Sequence, residues 1–240
     1  MTSSLMLEVE DVAIHYGGVK AVDGVNIALA QGQIRGLIGP NGAGKSTVID
    51  AITGRRKLTR GVVRLGGQDV SAMTVGSRRR LGLSRSFQRT SIFSQMSVQR
   101  QVVLASEQVN RGAALDDARD ILAELDLDGL ADVDAEALGY GQQRRLDLAL
   151  ALVGKPSVLL LDEPMAGLSV QESRDLASHL TSLARRRHVS VLLVEHDMDI
   201  VFGICDVITV FELGKVIAEG LPAHIRSDER VRKAYLGSSA

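Results

Sequence analysis

An α/β fold built on a largely parallel sheet is predicted from three observations. Short runs of Val, Ile and Leu recur along the chain, segments of helical periodicity separate them, and one run opens directly into a glycine-rich loop. Residues 25–29, 34–38, 158–161, 189–194 and 207–211 read as strands. The last four lack polar alternation, as strands buried on both faces do. Residues 62–65, Gly66-Gly67 and then Val70 read as an early hairpin, so an antiparallel piece precedes the parallel core. Residues 171–187 predict a helix. So do residues 115–125, where Leu115, Ala118, Ile121, Leu122 and Leu125 share one face. Between about Ser97 and Val153 helices dominate and no strand is convincing. That block reads as a helical subdomain inserted into the α/β core. Residues 237–240 read as a frayed tail.

Composition narrows the function classes. With 240 residues and 45% hydrophobic content, the chain can bury a sizeable core. A formal net charge of −1 argues against a protein that coats nucleic acid or an anionic membrane. The basic runs Arg78–Arg80 and Arg185–Arg187 lack interleaved aromatics and read as solvated faces. Cys205 is the one cysteine, so no internal disulfide is expected and a reducing compartment is the natural home. The first twelve residues carry Glu8, Glu10 and Asp11 and do not read as a signal peptide. The apolar runs are too short to span a bilayer, so any membrane role is expected to work through a partner.

Gly39-Pro40-Asn41-Gly42-Ala43-Gly44-Lys45-Ser46-Thr47 follows the run at 34–38 and precedes a helix-like segment. This is the Walker A pattern in its confirming context. Glycines let backbone N–H groups turn inward around phosphate oxygens, and the following helix adds its positive end. Lys45 can reach the β- and γ-phosphates, and the Ser46 hydroxyl is a hard ligand for Mg²⁺. The motif implies nucleotide binding without specifying the reaction.

The run at 158–161 ends in Asp162-Glu163-Pro164. Two carboxylates at the C-terminal end of a buried strand stand where α/β sheets place ligands. Asp162 fits a Mg²⁺-holding role, and Glu163 fits a general base that polarises the attacking water. Taken alone, two solvated acids ending a strand are an equally good reading; the Walker A motif tips the balance to chemistry.

The helical block ends in Leu138-Gly139-Tyr140-Gly141-Gln142-Gln143-Arg144-Arg145. This resembles the signature of ABC ATPases, usually LSGGQ, and further stations follow in that family's order. Gln88, within Ser86-Phe87-Gln88, matches the Q-loop, where the resemblance implies a role in the catalytic site and on Mg²⁺. Met165-Ala166-Gly167-Leu168-Ser169 stands at the D-loop, and His196 matches the switch histidine that meets the γ-phosphate. Tyr16 falls where the family stacks an aromatic ring on adenine, although an ordinary tyrosine at a strand end fits the residues too. The resemblance covers nearly the whole chain. It implies a P-loop NTPase core with an antiparallel β subdomain: residues 1–90 and 155–240 as the core with its β subdomain, and 91–154 as the helical subdomain. Tyr16-Gly17-Gly18, Ala21-Val22-Asp23-Gly24-Val25, Glu195-His196-Asp197-Met198 and Arg232-Lys233-Ala234-Tyr235-Leu236-Gly237 are similar to one branch, the ATP-binding subunits of branched-chain amino-acid (Liv-type) importers. That branch also serves urea and other hydrophobic or amide substrates.

The resemblance implies ATP and Mg²⁺ as cofactors and two cassettes facing head to tail, as a homodimer or with a paralogue. Each ATP would lie between one chain's Walker motifs and the other's signature, with Gly139, Gly141 and Gln142 reaching the γ-phosphate across the interface. Transmembrane permease subunits, and indirectly a solute-binding protein, are the implied partners; the implied location is the cytoplasmic face of the cell membrane. Two departures stand out: Gly139 replaces the signature serine and Ser169 replaces the D-loop aspartate. Slower hydrolysis is expected at sites that borrow this signature, with the backbone donors of Gly139 and Gly141 remaining. Three competing classes fit less well. A soluble ABC ATPase of DNA repair needs a long coiled-coil insertion, and one of translation usually carries tandem cassettes. A small-molecule P-loop kinase has no use for a signature or switch histidine. A non-catalytic nucleotide module does not need Lys45 and Glu163.

Overall fold

The computed structural model describes residues 4–86, 91–109 and 111–235. Gln88 and the tail at 237–240 lie outside the described residues. In chain order the strands are β1 (Leu5–Tyr16), β2 (Val19–Ala30), β3 (Ile34–Ile38), β4 (Arg60–Leu65), β5 (Gln68–Asp69), β6 (Leu83–Arg85), β7 (Val158–Asp162), β8 (Ser190–Val194), β9 (Val207–Glu212) and β10 (Lys215–Gly220). The helices are α1 (Lys45–Thr53), α2 (Val75–Arg80), α3 (Val98–Glu107), α4 (Ala114–Glu124), α5 (Tyr140–Leu152), α6 (Val170–Arg187), α7 (Met198–Ile204), α8 (Pro222–Ser227) and α9 (Glu229–Tyr235).

The strands form two sheets. The larger has the order β10-β9-β3-β8-β7-β6, parallel throughout except for the antiparallel edge strand β10. The smaller is antiparallel, with order β2-β1-β4-β5. Gly66-Gly67 turns β4 into β5, as the sequence predicts. Chain order reverses at β3, which has β8 on one side and β9 on the other, so a crevice opens at its C-terminal end.

Side-chain alternation explains why the large sheet is buried on both faces. Ile34, Ile38, Leu159, Leu161, Val191 and Leu193 feed one core, shared with the helical block and α6. Leu37, Val158, Leu160, Leu192 and Val194 feed another, shared with α1 and the antiparallel sheet. Among the described residues of 97–153 there are helices and a single isolated bridge, Ser97 to Asp134. Within α4, Ala118, Ile121 and Leu122 are buried as predicted, and Leu125 just beyond its end is buried with them. Leu115 is not: the buried stripe runs through Ala114, Ala118, Ile121, Leu122 and Leu125, and Leu115 falls at its flank, 44% exposed. Cys205 is buried against Gly36, and burial pushes its thiol up to about 12.

The basic run at Arg78–Arg80 departs from the expected solvated face. Arg78 is 1% exposed. Its Nη1 donates to the carbonyls of Ala51 (2.8 Å) and Ile52 (2.6 Å), its Nη2 to Ser71 (2.9 Å) and its Nε to Met73 (3.3 Å). It thus caps the C-terminal end of α1, where carbonyls lack helical partners and a cation is favoured. Arg79 is half-buried and holds the Val153 carbonyl (2.6 Å), whereas Arg80, Arg185 and Arg186 are exposed as expected. Arg78→Ala leaves four carbonyls without this donor and is expected to destabilise the fold by about 3 kcal/mol, read as a lower urea midpoint at unchanged slope.

Candidate functional site

The loop after β3 is shaped by close backbone approach. Gly39 has φ 150°, and a Cβ there would stand 2.3 Å from the Phe211 carbonyl oxygen, so only glycine lets the loop leave the strand this near to β9. The Gly214 N–H donates to the Ala43 carbonyl (2.9 Å), and the Gly214 carbonyl accepts from the Asp23 N–H (2.9 Å), bracing the loop against the start of β2. Gly44 is the N-cap of α1 and offers no side chain to the first-turn N–H groups; the first turn carries no acid. Those donors and the helix's positive end suit an anion. Asn41, Gly42 and Ser46 are exposed there, with Thr47 half-buried. Lys45 is 6% exposed, its Nζ donating to the carbonyls of Gly39 (2.5 Å) and Pro40 (3.0 Å). Burial lowers its pKa, while the charges of Glu163 and Asp162 work the other way. The ammonium therefore stands within the field of both carboxylates.

Asp162 and Glu163 leave β7 toward different neighbours. Asp162 is 7% exposed, and its Oδ2 accepts from Arg85 Nη2 (3.0 Å); Arg85 Nη1 also donates to Asp50 Oδ1 (2.5 Å). Burial raises the Asp162 carboxyl above its ordinary range, and Arg85 opposes that shift. Glu163 takes the left-handed conformation with φ 52°, which costs an L residue of this kind about 1 kcal/mol. Its N–H donates to the Val194 carbonyl (2.9 Å), and its Oε1 lies 2.8 Å from His196 Nε2. The strained turn thus sets Glu163 beside His196, which follows β8.

Glu195 holds that arrangement from beneath, and sequence reasoning assigned it no role. It is 4% exposed; Oε1 accepts from the Met165 N–H (2.9 Å) and Oε2 from the His196 N–H (3.0 Å). A carboxylate directly after a wholly buried strand was the available signal. Arg85 was missed as well, because its link to Asp162 depends on β6 pairing with β7, which three residues do not announce.

Tyr16 closes β1 with its ring 46% exposed, and the Arg56 guanidinium carbon lies 5.7 Å from the ring centroid. Gly139 is the N-cap of α5, so the signature does open a helix. The Gly139 N–H donates to Gln142 Oε1 (2.9 Å), and the Gly141 N–H donates to the Glu172 carboxylate. Both backbone donors thus have acceptors within the chain, where the sequence leaves them open. Glu172 Oε2 also accepts from the Ser169 N–H (2.9 Å) and Oγ–H (2.7 Å), so Ser169 caps α6. A cleft of about 730 Å³ beside the signature is lined by Gly139, Gly141, Gln142, Arg145, Glu172 and His179, among others. Lys45, Asp162, Glu163 and His196 form one cluster, while the signature residues lie on this separate surface.

The family described as "ABC transporter" matches residues 22–166, and the one described as "Branched-chain amino acid ATP-binding cassette transporter" matches residues 215–240. The chain is 36% identical to the high-affinity branched-chain amino acid transport ATP-binding protein BraF of Pseudomonas aeruginosa, over 98% of each chain. It is 36% identical to the corresponding protein LivG of Escherichia coli K12, over 99% of this chain and 100% of LivG. The crystal structure of the ADP conformation of MJ1267, an ATP-binding cassette of an ABC transporter, superposes with a TM-score of 0.87 at 29% identity, over 98% of this chain and 99% of that one.

Burial holds the Glu195 carboxyl above its ordinary 4.5, against the N–H donors that face it. The folded state therefore binds this proton more tightly than the unfolded chain does. The resulting stability is fully present below 4.5 and lost as pH rises through the raised value. Relative to Glu195→Gln, the wild type is expected to lose urea resistance as pH rises from 4.5 through the raised value; a constant gap between the two midpoints would refute the assignment.

Proposed function

This chain belongs to the ABC transporter family, as a cassette that binds and hydrolyses ATP to energise transport, and from that premise we propose that it is one of two cassettes driving an importer of branched-chain or related hydrophobic amino acids. The observation that carries the reading is the cluster of Lys45, Asp162 and the Glu163–His196 pair at the ends of three adjacent strands. The substrate class is supported by the names of BraF and LivG and by the match at residues 215–240. Residues 1–90 and 155–240 form the nucleotide-binding core with its β subdomain, and 91–154 the helical subdomain that meets the permease. No described helix is long and apolar enough to cross a membrane. The chain is held at the cytoplasmic face through permease subunits, which a solute-binding protein supplies.

In this reading the Tyr16 ring stacks on adenine. The N–H groups from Gly39 to Thr47, including those of Asn41, Gly42 and Gly44, surround the phosphates. Lys45 exchanges its contacts with the Gly39 and Pro40 carbonyls for β- and γ-phosphate oxygens. The Ser46 hydroxyl and Asp162 carboxylate fit Mg²⁺, and Gln88 completes the protein's share. No group of three His, Cys, Asp or Glu forms a self-sufficient metal cage among the described residues, so the donor set suits an ion that arrives with phosphate oxygens. An ion held by these groups would supply positive charge beside the transferring phosphoryl group. Glu163 Oε1 accepts the proton of the attacking water, and His196 orients that carboxylate and meets the γ-phosphate. Gly139, Gly141 and Gln142 serve the nucleotide of the opposite cassette. Their N–H groups exchange the Gln142 and Glu172 oxygens for phosphate as the two chains close.

Paired with itself, Glu163→Gln is expected to trap an ATP-bound dimer and to stop phosphate release; paired with a paralogous cassette that keeps its own glutamate, it is expected to silence only the site that uses this chain's Lys45 and Asp162. Continued release by the self-paired variant, or failure of the wild type to bind ATP, overturns the reading. A Cβ at Gly139 meets only Gln142 Oε1, at 3.7 Å, so serine fits there. Gly139→Ser restores a hydroxyl donor and is expected to raise turnover in the assembled transporter about two- to fivefold; an unchanged rate counts against a phosphate contact at this position.

A further inference from the structure

The helix that opens with the signature also grips the turn that follows Glu163. Tyr140 Oη donates to the Ala166 carbonyl (3.2 Å), and Arg144 Nη2 donates to the same oxygen (3.3 Å). The Arg144 guanidinium carbon lies 5.2 Å from the centroid of the Tyr140 ring, so the two donors support one another. Beneath the ring, Gly167 has φ 81°, and a Cβ there would stand 3.0 Å from Tyr140 Cε1. The ring therefore lies directly on the turn. From Ala166 the connection reaches the backbone of Glu163 in one step, since the Ala166 N–H donates to the Glu163 main-chain carbonyl (3.1 Å). On the other flank Glu195 ties Met165 to the backbone of His196. The turn is thus held between α5 and the His196 loop, and it begins at the left-handed residue Glu163.

We propose that Tyr140 is a positioning residue for Glu163. By holding the Ala166 carbonyl it fixes the turn that aims the general base, and it thereby links the signature serving one nucleotide to the carboxylate serving the other. The hydroxyl is the essential part, because the ring alone offers no donor to the carbonyl. The link stands at a helix start that is only partly covered, with the Tyr140 ring 45% exposed, so movement of the signature is not blocked by core packing. The proposal rests on the reading of Glu163 as general base and on the two-cassette assembly.

The test places Tyr140→Phe in this chain within the assembled two-cassette complex, in two backgrounds. In the first, the other cassette carries glutamine in place of its catalytic glutamate, so the functioning site uses this chain's Glu163. In the second, this chain carries Glu163→Gln, so the functioning site uses only its signature. Phenylalanine keeps the ring over Gly167, and the melting temperature is expected not to move. In the first background Tyr140→Phe is expected to lower kcat about fivefold at unchanged KM for ATP, the rate equivalent of one hydrogen bond; in the second, kcat is expected to stay the same. An unchanged kcat in the first background overturns the proposal, as does a loss confined to the second, which would put Tyr140 in contact with the partner's nucleotide. Phosphate release that survives Glu163→Gln with the other glutamate also replaced would instead overturn the reading of Glu163 itself.

Discussion

Everything at the site depends on the parallel register of β3, β8 and β7. Leu37 and Asp162 both pair with Val194, so three strands end at one level and release their loops side by side. The glycine-rich loop, the carboxylate pair and the histidine loop are far apart in sequence and meet only because of this. A slip of β8 by one residue would carry His196 about 3.3 Å along the strand and turn Val191 and Leu193 toward the wrong core. The two cores therefore enforce the geometry of the chemistry: alternate residues of the same strands hold opposite layers, and neither layer tolerates a shift without losing the other.

Around this frame, buried charges act mainly as fasteners for backbone. Arg78 holds four carbonyls at and beyond the end of α1. Glu195 holds N–H groups from two loops, and Asp147 in α5 accepts from the Ser91 N–H (2.9 Å). Satisfying a buried charge with several peptide dipoles avoids much of the desolvation penalty of an isolated ion and fixes loops that have no ladder of their own. Arg85 differs, because it spans two carboxylates and so joins α1 to the end of β7.

The parts of the fold legible in the sequence are those with a strong local signature. β7 and β8 are near-continuous apolar runs because both faces are covered, β3 keeps Ile34, Leu37 and Ile38 around Arg35 and Gly36, and the glycine-rich loop is readable because its backbone demands are written in residue type. β1 was hidden: Glu8, Glu10 and Asp11 interrupt its pattern, and a register shift between Val9 and Val12, with Asp11 at φ 46°, breaks the two-residue period. β10 lies at an edge, and three-residue β6 has no period to detect. The motif residues of the candidate site were all nameable from order along the chain, Gln88 included, although it lies outside the described residues. Their supports were not. Glu195, Arg85 and the Tyr140–Arg144 pair act across long sequence separations, and a single sequence carries no trace of which carbonyl an arginine will find.

The state of Cys205 has a practical consequence for watching this molecule move. Its sulfur is packed against Gly36 inside the sheet, and at neutral pH almost none of it is thiolate. Thiolates are the species that attack maleimide and thiol-reactive spin-label reagents, so the native chain already behaves as an unlabelled background. Cysteines introduced on the exposed faces of α5 and α6 would carry paired probes without first stripping the protein of its own sulfur, and the distance between the two helices could then be followed through a turnover cycle.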